Sequence, residues 1–168
     1  VVASPDAAEV LRTGEDGSGD PQYGMHDPME PVGVDVIVRD GDTVRSETAT
    51  LTAIATPGHT PGALSWAWQS CDDAGECIGI VYADSLSPIS RDGYRFSDNP
   101  EYVAGFRAGL QRLRETDCDL LLTPHPSASG MVKRAATGTM AGGTTCIQYA
   151  DSIEKRLDAR LAEEVAGG

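Results

Sequence analysis

The sequence is short of positive charge and of long apolar runs. Its 13 Lys and Arg residues are outnumbered by 26 Asp and Glu, which gives a formal net charge of -13 over 168 residues. Nucleic-acid binding needs clustered basic side chains, so this balance argues against a nucleic-acid partner. No stretch approaches the roughly 18 continuous apolar residues of a membrane helix, so we expect no membrane partner either.

The cysteines include no Cys-x-x-Cys pair, which makes a structural zinc knuckle or a thiol redox motif a poor interpretation. Their even number, four, favours two disulfides and hence an oxidising compartment such as the bacterial periplasm or the cell exterior. Cys71 and Cys77 flank a polar turn that contains glycine, where a disulfide would join the two strands of a hairpin. Cys118 precedes an apolar run and Cys146 opens a helical stretch. Reduced cysteines in the core are the alternative.

The hydrophobic content of 40% is typical of a globular protein, and the chain is long enough for one domain with a core. Residues 13–31, rich in Gly, Pro and Asp, predict a long surface loop. Asp40-Gly41, between two short apolar runs, predicts a hairpin. The other predicted strands are LTAIAT, LSWAWQ, CIGIVYAD and DLLLT (119–123), the last wholly apolar, as expected of an inner strand covered on both sides.

Two amphipathic helices are predicted in the second half of the chain. The first follows Asn99, a candidate N-cap, and has Pro100 at its first position. Its buried stripe should comprise Val103, Phe106, Leu110 and Leu113, and that of the final helix Ile147, Ala150, Ile153, Leu157, Leu161 and Val165. Such helices cover one face of a sheet, and we expect the layer over its other face to lie outside this chain.

Two of the three histidines occupy matched positions. His59 follows Pro57-Gly58 at the end of LTAIAT, and His125 ends an apolar strand in LLLTPHPS, again framed by prolines. Glycine and proline restrict the backbone around each ring, so both imidazoles should be aimed at one edge of the sheet. Neutral imidazole is the usual nitrogen ligand of zinc. The pair therefore predicts metal ligands, with two structural histidines as the alternative.

Two serines follow a predicted strand between these histidines. Asp84 ends CIGIVYAD, and Ser85 and Ser87 follow in a turn that should lie at the same edge. Their hydroxyls would suit a substrate carboxylate or an active-site water; ordinary turn serines with local backbone bonds are the alternative. Neither lies in a Gly-x-Ser-x-Gly motif, so a serine nucleophile is not supported.

The motifs PGHTPGALSW, VYADSLS and LLLTPHPSAS, in this order and spacing, closely resemble the C-terminal half of metallo-β-lactamases of subclass B3. The loop GDPQYGMHDP and the cysteine pair around SCDDAGEC also look like this subclass. The resemblance extends over nearly the whole chain. It implies an α/β fold, the αββα sandwich with two zinc ions at the edge between its halves. Residues 1–168 would be the C-terminal portion of one such domain, mainly its C-terminal sheet-and-helix half.

The resemblance also implies metal ligands and a disulfide. His59 corresponds to the third histidine of the tri-histidine zinc site, and His125 to the histidine that completes the second zinc site. His26 is not among the implied ligands. Cys118 and Cys146 match the common disulfide of the subclass.

The implied substrate-binding residues come from two segments. Ser85 and Ser87 match positions that contact the carboxylate of the antibiotic, and Ser85 stands where sister subclasses have a zinc-ligating cysteine. Gln22 and Tyr23 match the loop that lines the substrate pocket.

One part of the family pattern is missing. The His-x-His-x-Asp-His motif, which supplies two ligands to each zinc, does not occur, and three histidines cannot satisfy a six-ligand site. The resemblance therefore implies an N-terminal half, with a signal peptide and the first β-sheet, ahead of Val1. We expect part of a periplasmic or secreted bacterial zinc β-lactamase that hydrolyses antibiotics with a metal-bound hydroxide and confers resistance. The isolated chain should be inactive.

Two alternatives change the function. Glyoxalase-like thioester hydrolases, lactonases and RNA-processing nucleases share the sandwich and the PGHT-like motif. The serines after YAD and the two expected disulfides favour the lactamase, and the acidic charge disfavours the nuclease. The second alternative is a secreted non-catalytic module with structural histidines, which would bind no zinc even with the missing half supplied.

Overall fold

The computed structural model describes residues 1–140 and 142–167. Seven strands, four α-helices and a short 3-10 helix follow one another in these ranges. Their bounds are β1 Val2–Ala3, α1 Pro5–Thr13, β2 Val36–Ile37, β3 Thr43–Arg45, β4 Thr50–Ala55, β5 Leu64–Cys71, β6 Cys77–Tyr82, the 3-10 helix Phe96–Asp98, α2 Pro100–Glu115, β7 Leu120–Leu122, α3 Met131–Ala136 and α4 Cys146–Ala166.

The main sheet has five strands in the order β3-β4-β5-β6-β7. Neighbours are antiparallel from β3 to β6, and β7 pairs with β6 in parallel. A parallel pair needs a crossover, which the 3-10 helix and α2 provide. Because β4 and β6 both run opposite to β5, the carboxyl ends of β4, β6 and β7 lie at the same edge. The topology therefore brings together the segments that follow these three strands.

The hairpin predicted around Asp40-Gly41 is wrong. The turn itself forms, with Gly41 at a φ of 81°, but the strands on its two sides belong to different sheets. β2 pairs in parallel with β1, whereas β3 pairs with β4. The carboxylate of Asp40 accepts the N–H of Ala55 at 2.8 Å and pairs with Arg112 at 3.0 Å, which ties the turn to the end of β4. A turn signal identifies the reversal of the chain, not the partner of each strand.

The core lies between the sheet and the helices α2 and α4. The stripe predicted for α2 is confirmed by Phe106, Leu110 and Leu113, each 0% exposed. Asn99 precedes α2 as predicted, but its side-chain amide donates to the carbonyl of Arg95 and does not cap the helix. The sheet contributes Ile54, Val81 and Leu121, and α4 contributes Tyr149, Ala150, Ile153 and Leu157.

The stripe predicted for α4 is wrong at its ends. Ile147 is 53% exposed and Val165 is 74% exposed, whereas Glu164, a charged residue, is buried. The apolar period describes the middle of the helix, where α4 packs on α2 and the sheet. Near its C-terminal end the helix faces the polar segment around the 3-10 helix instead.

The prediction that DLLLT is covered on both sides is also wrong for this chain. Leu121 is buried beneath the helices, but Leu120 and Leu122, which point to the other face, are only half-buried. Cross-strand register places further large apolar side chains on this other face. We call it the open face; it comprises Val44, Leu51, Leu64, Trp66, Trp68, Ile78, Ile80, Tyr82, Leu120 and Leu122.

A buried carboxylate fixes the C-terminal end of α4 to the segment ahead of α2. Glu164 accepts hydrogen bonds from the backbone N–H groups of Phe96 at 3.1 Å and Ser97 at 2.8 Å, and from Nε of Arg160 at 2.7 Å. Burial alone would raise its pKa, but these hydrogen bonds favour the charged form and together hold the pKa of Glu164 below its ordinary value.

Glu164→Gln is expected to lower the free energy of unfolding near pH 7 by about 1.5–3 kcal/mol, the usual contribution of hydrogen bonds to a charged group. Because the folded-state pKa lies below the ordinary 4.5, the carboxylate stabilises fully above that pH. Its contribution is lost as the pH falls through the folded-state pKa. Urea denaturation over a pH series should therefore show the deficit of the variant shrinking in acid.

The matched control is Glu163→Gln, at an exposed neighbouring position of the same helix. Surface substitutions of this kind change the unfolding free energy by less than about 0.5 kcal/mol. A deficit for Glu164→Gln that stays constant across the pH series would contradict the role given to the charge.

Candidate metal and substrate site

The segments that follow β4, β6 and β7 meet at one edge of the main sheet. They carry His59, the serine pair Ser85 and Ser87, and His125. His59 is half-buried, Ser85 is buried, and His125 is exposed. The arrangement follows from strand direction, since these three strands all end at this edge. The structure therefore places the four residues singled out by the sequence motifs on one side of the protein.

The ring of His59 is oriented by a backbone carbonyl. Its Nδ1 lies 3.2 Å from the carbonyl oxygen of Ser87. A carbonyl oxygen can only accept, so Nδ1 must carry the proton, and the lone pair of the neutral ring is left on Nε2. Metal-ligating histidines have this arrangement, in which one nitrogen donates to a protein oxygen and the other is available to a metal.

The backbone beside His59 is closely packed. A Cβ at Gly58 would lie 2.6 Å from Cε2 of Phe106, so only glycine fits without a shift. On the other side, the carbonyl of His59 accepts a hydrogen bond from Nε2 of Gln22 at 2.9 Å. Contacts with α2 and with the loop before β2 thus fix the position of this histidine.

The surface loop predicted at residues 13–31 is only partly a surface feature. Asp20, Pro21 and Gln22 are buried, because Gln22 reaches His59 and the carbonyl of Asp20 accepts Nη1 of Arg91 at 2.8 Å. Tyr23 is 46% exposed, and its ring lies 5.5 Å from the Arg91 guanidinium carbon.

Two carboxylates that are removed from solvent lie near His59. Burial raises the pKa of Asp84, and the Ser85 N–H and His59 partly offset that effect. Burial likewise raises the pKa of Asp20, against a backbone hydrogen bond from Gln22. The sequence pattern placed Asp84 at the end of its strand, but nothing in the pattern pointed to Asp20.

A cavity of about 440 Å³ brings Ser85, Ser87 and His125 together. Gln22, Tyr23 and His59 are not among the residues that line it. His59 is connected to the cavity by its hydrogen bond to the carbonyl of Ser87. The lining also includes Ser127 and Ala128, which follow His125 in the motif LLLTPHPSAS, and three residues outside the motifs, Tyr149, Ser152 and Arg156. A larger cavity of about 760 Å³ beside α1 contains neither His59 nor His125.

Three of the residues that line this cavity lie on α4. Tyr149, Ser152 and Arg156 follow one another at steps of three and four, so they lie on one face of the helix. The hydroxyl of Tyr149 donates to the carbonyl of Asp84 at 3.1 Å, and Nη1 of Arg156 donates to Oγ of Ser87 at 3.3 Å. Their spacing predicts that the three residues share one face of a helix, but it does not predict that this face points toward Ser85 and Ser87.

The described residues do not complete a zinc site. Within ranges 1–140 and 142–167, no three His, Cys, Asp or Glu side chains converge as metal ligands would. All four cysteines form disulfides, with Cα–Cα distances of 4.0 Å for Cys71–Cys77 and 6.2 Å for Cys118–Cys146. Zinc normally takes three or four protein ligands. His59 and His125 alone are therefore fewer ligands than a zinc ion normally takes.

Comparison with solved structures identifies the fold as that of metallo-β-lactamases. No protein-family model matches the sequence. MIM-1 from Novosphingobium pentaromativorans is 40% identical, with a TM-score of 0.93 over 99% of this chain and 62% of that one. MIM-2 is 49% identical, with a TM-score of 0.88 over 97% of this chain and 60% of that one. This chain therefore spans less than two thirds of the length of these two relatives.

A third structure matches the chain from end to end. MEM-A1, a subclass B3 metallo-β-lactamase from a soil metagenome library, is 35% identical, with a TM-score of 0.92 over 100% of this chain and 67% of that one. The chain belongs to the metallo-β-lactamase family. The predicted family and α/β fold class are confirmed.

Proposed function

We propose that this chain is the C-terminal portion of a subclass B3 zinc β-lactamase, which hydrolyses the amide bond of β-lactam antibiotics and so confers resistance. The observation that carries the proposal is the placement of His59, His125, Ser85 and Ser87 at one sheet edge in a member of this family. His59 is hydrogen-bonded to Ser87, and the other three residues line one cavity. Zinc in hydrolases acts as a Lewis acid and lowers the pKa of bound water. His59 and His125 each contribute an imidazole to the site, which holds two zinc ions when complete.

The protein's own residues supply orientation in this proposal. The Ser87 carbonyl fixes the tautomer of His59, and Gln22 holds the backbone of the same residue. Ser85 and Ser87 present hydroxyls to the carboxylate of the antibiotic. Tyr23, with its exposed ring, contacts the substrate from the rim. Holding the substrate in a reactive position is itself a large contribution to hydrolysis.

The remaining ligands come, in this proposal, from the N-terminal half of the same domain. Its binding surface is the open face, where Trp66, Trp68 and Ile80 are half-buried and Tyr82 is 37% exposed. Contiguous apolar surface of this kind usually marks a site of association. With one proposed ligand for each metal, the isolated chain neither retains zinc nor hydrolyses β-lactams.

We further propose that the protein works in the periplasm or outside the cell. Both disulfides support an oxidising compartment, because reduced thiols prevail in the cytosol. In the part of the chain that the structure describes, no helix has the length and apolarity needed to cross a membrane.

The test compares the chain alone with a complemented protein, defined as this chain co-expressed with the portion of MIM-1 that it does not cover. Chains are confirmed by intact mass, and zinc content and nitrocefin hydrolysis are measured. We expect neither zinc nor turnover for the chain alone. The complemented protein should hold two zinc ions and show turnover that a chelator abolishes.

Two results would contradict the proposal in different ways. Chelator-sensitive turnover by verified 168-residue chain would show that it is active alone. A folded complemented protein that binds zinc and cleaves a thioester or a lactone, but not nitrocefin, would assign it to another branch of the fold. A complemented protein that binds no zinc would favour a non-catalytic module.

A further inference from the structure

We propose that Arg156 is the cation that binds the substrate carboxylate. The inference rests on the proposed function, since β-lactam antibiotics carry a carboxylate beside the reactive ring. Arg156 lines the 440 Å³ cavity together with Ser85, Ser87 and His125. A volume of this size lies within the usual range of small-molecule sites.

The charge of Arg156 is not neutralised by a neighbouring carboxylate. Among residues 1–140 and 142–167, its side chain forms no ion pair, and its one hydrogen bond goes to the hydroxyl of Ser87 at 3.3 Å. Arg160, one turn further along α4, pairs instead with Glu164 at 2.7 Å. In a protein with 26 acidic and 13 basic residues, an unpaired guanidinium at a cavity wall is available to an external anion.

The cavity around Arg156 suits an anion. Hydroxyl groups of Ser85, Ser87, Ser127, Ser152 and Tyr149 line it, and within the described part of the chain no carboxylate does. A guanidinium binds a carboxylate through two parallel hydrogen bonds, and adjacent serine hydroxyls can donate further ones. The hydroxyl of Tyr149 already donates to the carbonyl of Asp84. The local charge is thus opposite to the formal net charge of -13.

The position of Arg156 also matches the proposed reaction centre. The hydroxyl of Ser87 accepts from Arg156, while the carbonyl of the same residue accepts from the ring of His59. A carboxylate held between Arg156 and Ser87 would therefore contact the residue whose carbonyl orients His59, in the cavity that His125 also lines. Arg156 acts in this inference as a binding residue that sets the position of the substrate.

The first test measures KM and kcat of the complemented protein with Arg156→Ala, Arg156→Lys and the control Lys155→Ala. Lys155 is exposed and does not line the cavity. We expect KM for nitrocefin to rise about tenfold or more in Arg156→Ala, the order of effect of losing a charge-assisted hydrogen bond. Arg156→Lys should lie between Arg156→Ala and the parent, and Lys155→Ala should match the parent.

A substrate that lacks the carboxylate charge distinguishes a loss of carboxylate binding from a general structural effect of the substitution. Benzylpenicillin and its methyl ester are compared in the same proteins. If Arg156 binds the carboxylate, the alanine substitution raises KM for benzylpenicillin and leaves that for the ester unchanged. An equal rise for both substrates, or no rise for either, would overturn the inference.

A direct binding measurement keeps this inference distinct from the proposed function. The Nε–H resonance of Arg156 in the 168-residue chain is followed by NMR while benzylpenicillin or its methyl ester is added. A shift with the acid alone supports the inference, even if the complemented protein proves inactive and the proposed function fails. The absence of a shift at millimolar benzylpenicillin would overturn it.

Discussion

His59→Ala in the complemented protein should lower kcat/KM for nitrocefin by at least about 100-fold and remove one equivalent of zinc. Loss of a group that merely orients a metal ligand already costs about 10–100-fold in affinity or activity, so loss of the ligand should cost more. The geometry supports the assignment because Nδ1 of His59 is committed to the carbonyl of Ser87 and Nε2 remains available. Steady-state kinetics and metal analysis of the purified variant measure both effects.

His26→Ala is the matched control, because the same residue type is removed from an exposed position. Its Nε2 lies 3.4 Å from the side-chain oxygen of Gln22, a contact at the outer limit of hydrogen bonding. We expect kcat/KM within about twofold of the parent, since surface contacts of this kind contribute little. Equal losses in the two variants, or full zinc content in His59→Ala, would contradict the assignment of His59 as a ligand.

The placement of His59, Ser85 and His125 at one sheet edge could be predicted because it depends on strand ends. β4, β6 and β7 are each rich in apolar residues, and a Pro or an Asp follows shortly after each strand ends. The direction of a strand then decides at which edge of the sheet its end lies. His59, Ser85 and His125 follow these stops directly in the chain. Local sequence therefore predicted the strand ends, and the direction of the strands in the sheet places the side chains that follow them at one edge.

Partners that are distant in sequence could not be predicted in this way. Arg156 is 69 residues from Ser87, and a polar position on an amphipathic helix predicts a solvated face until the helix has been placed on the sheet. Gln22 reaches His59 across 37 residues from a segment without any period. The parallel pairing of β1 with β2 is likewise set by packing and not by the turn at Asp40-Gly41.

The same limit explains the open face. A wholly apolar strand predicts burial on both sides, and in this chain only one side of β7 is fully covered. Leu121 packs against the helices of the chain itself, whereas Leu120 and Leu122 lie on the open face and are half-buried. Under the proposed function, the layer that covers the open face comes from the N-terminal half of the domain.

Phe106→Ala should lower the free energy of unfolding by about 3–5 kcal/mol, the usual cost of removing a fully buried aromatic ring from a core. Phe106 is 0% exposed and packs from α2 into the core, where its ring lies beside Gly58 in the segment that carries His59. Urea denaturation of the chain measures the loss. Val103→Ala is the matched control on the same stripe; Val103 is half-buried and smaller, so its truncation should cost clearly less.

The same ring should determine the effect of a methyl group at Gly58. Gly58→Ala places Cβ 2.6–2.9 Å from three ring atoms of Phe106, and overpacking of this kind costs about 1–3 kcal/mol. In a Phe106→Ala background the ring is gone, so the added methyl group should cost much less. The two substitutions are therefore expected to be non-additive by about 0.5–3 kcal/mol, the range for residues in direct contact. Strictly additive losses would show that Phe106 does not support the turn before His59, and that another contact holds this histidine in place.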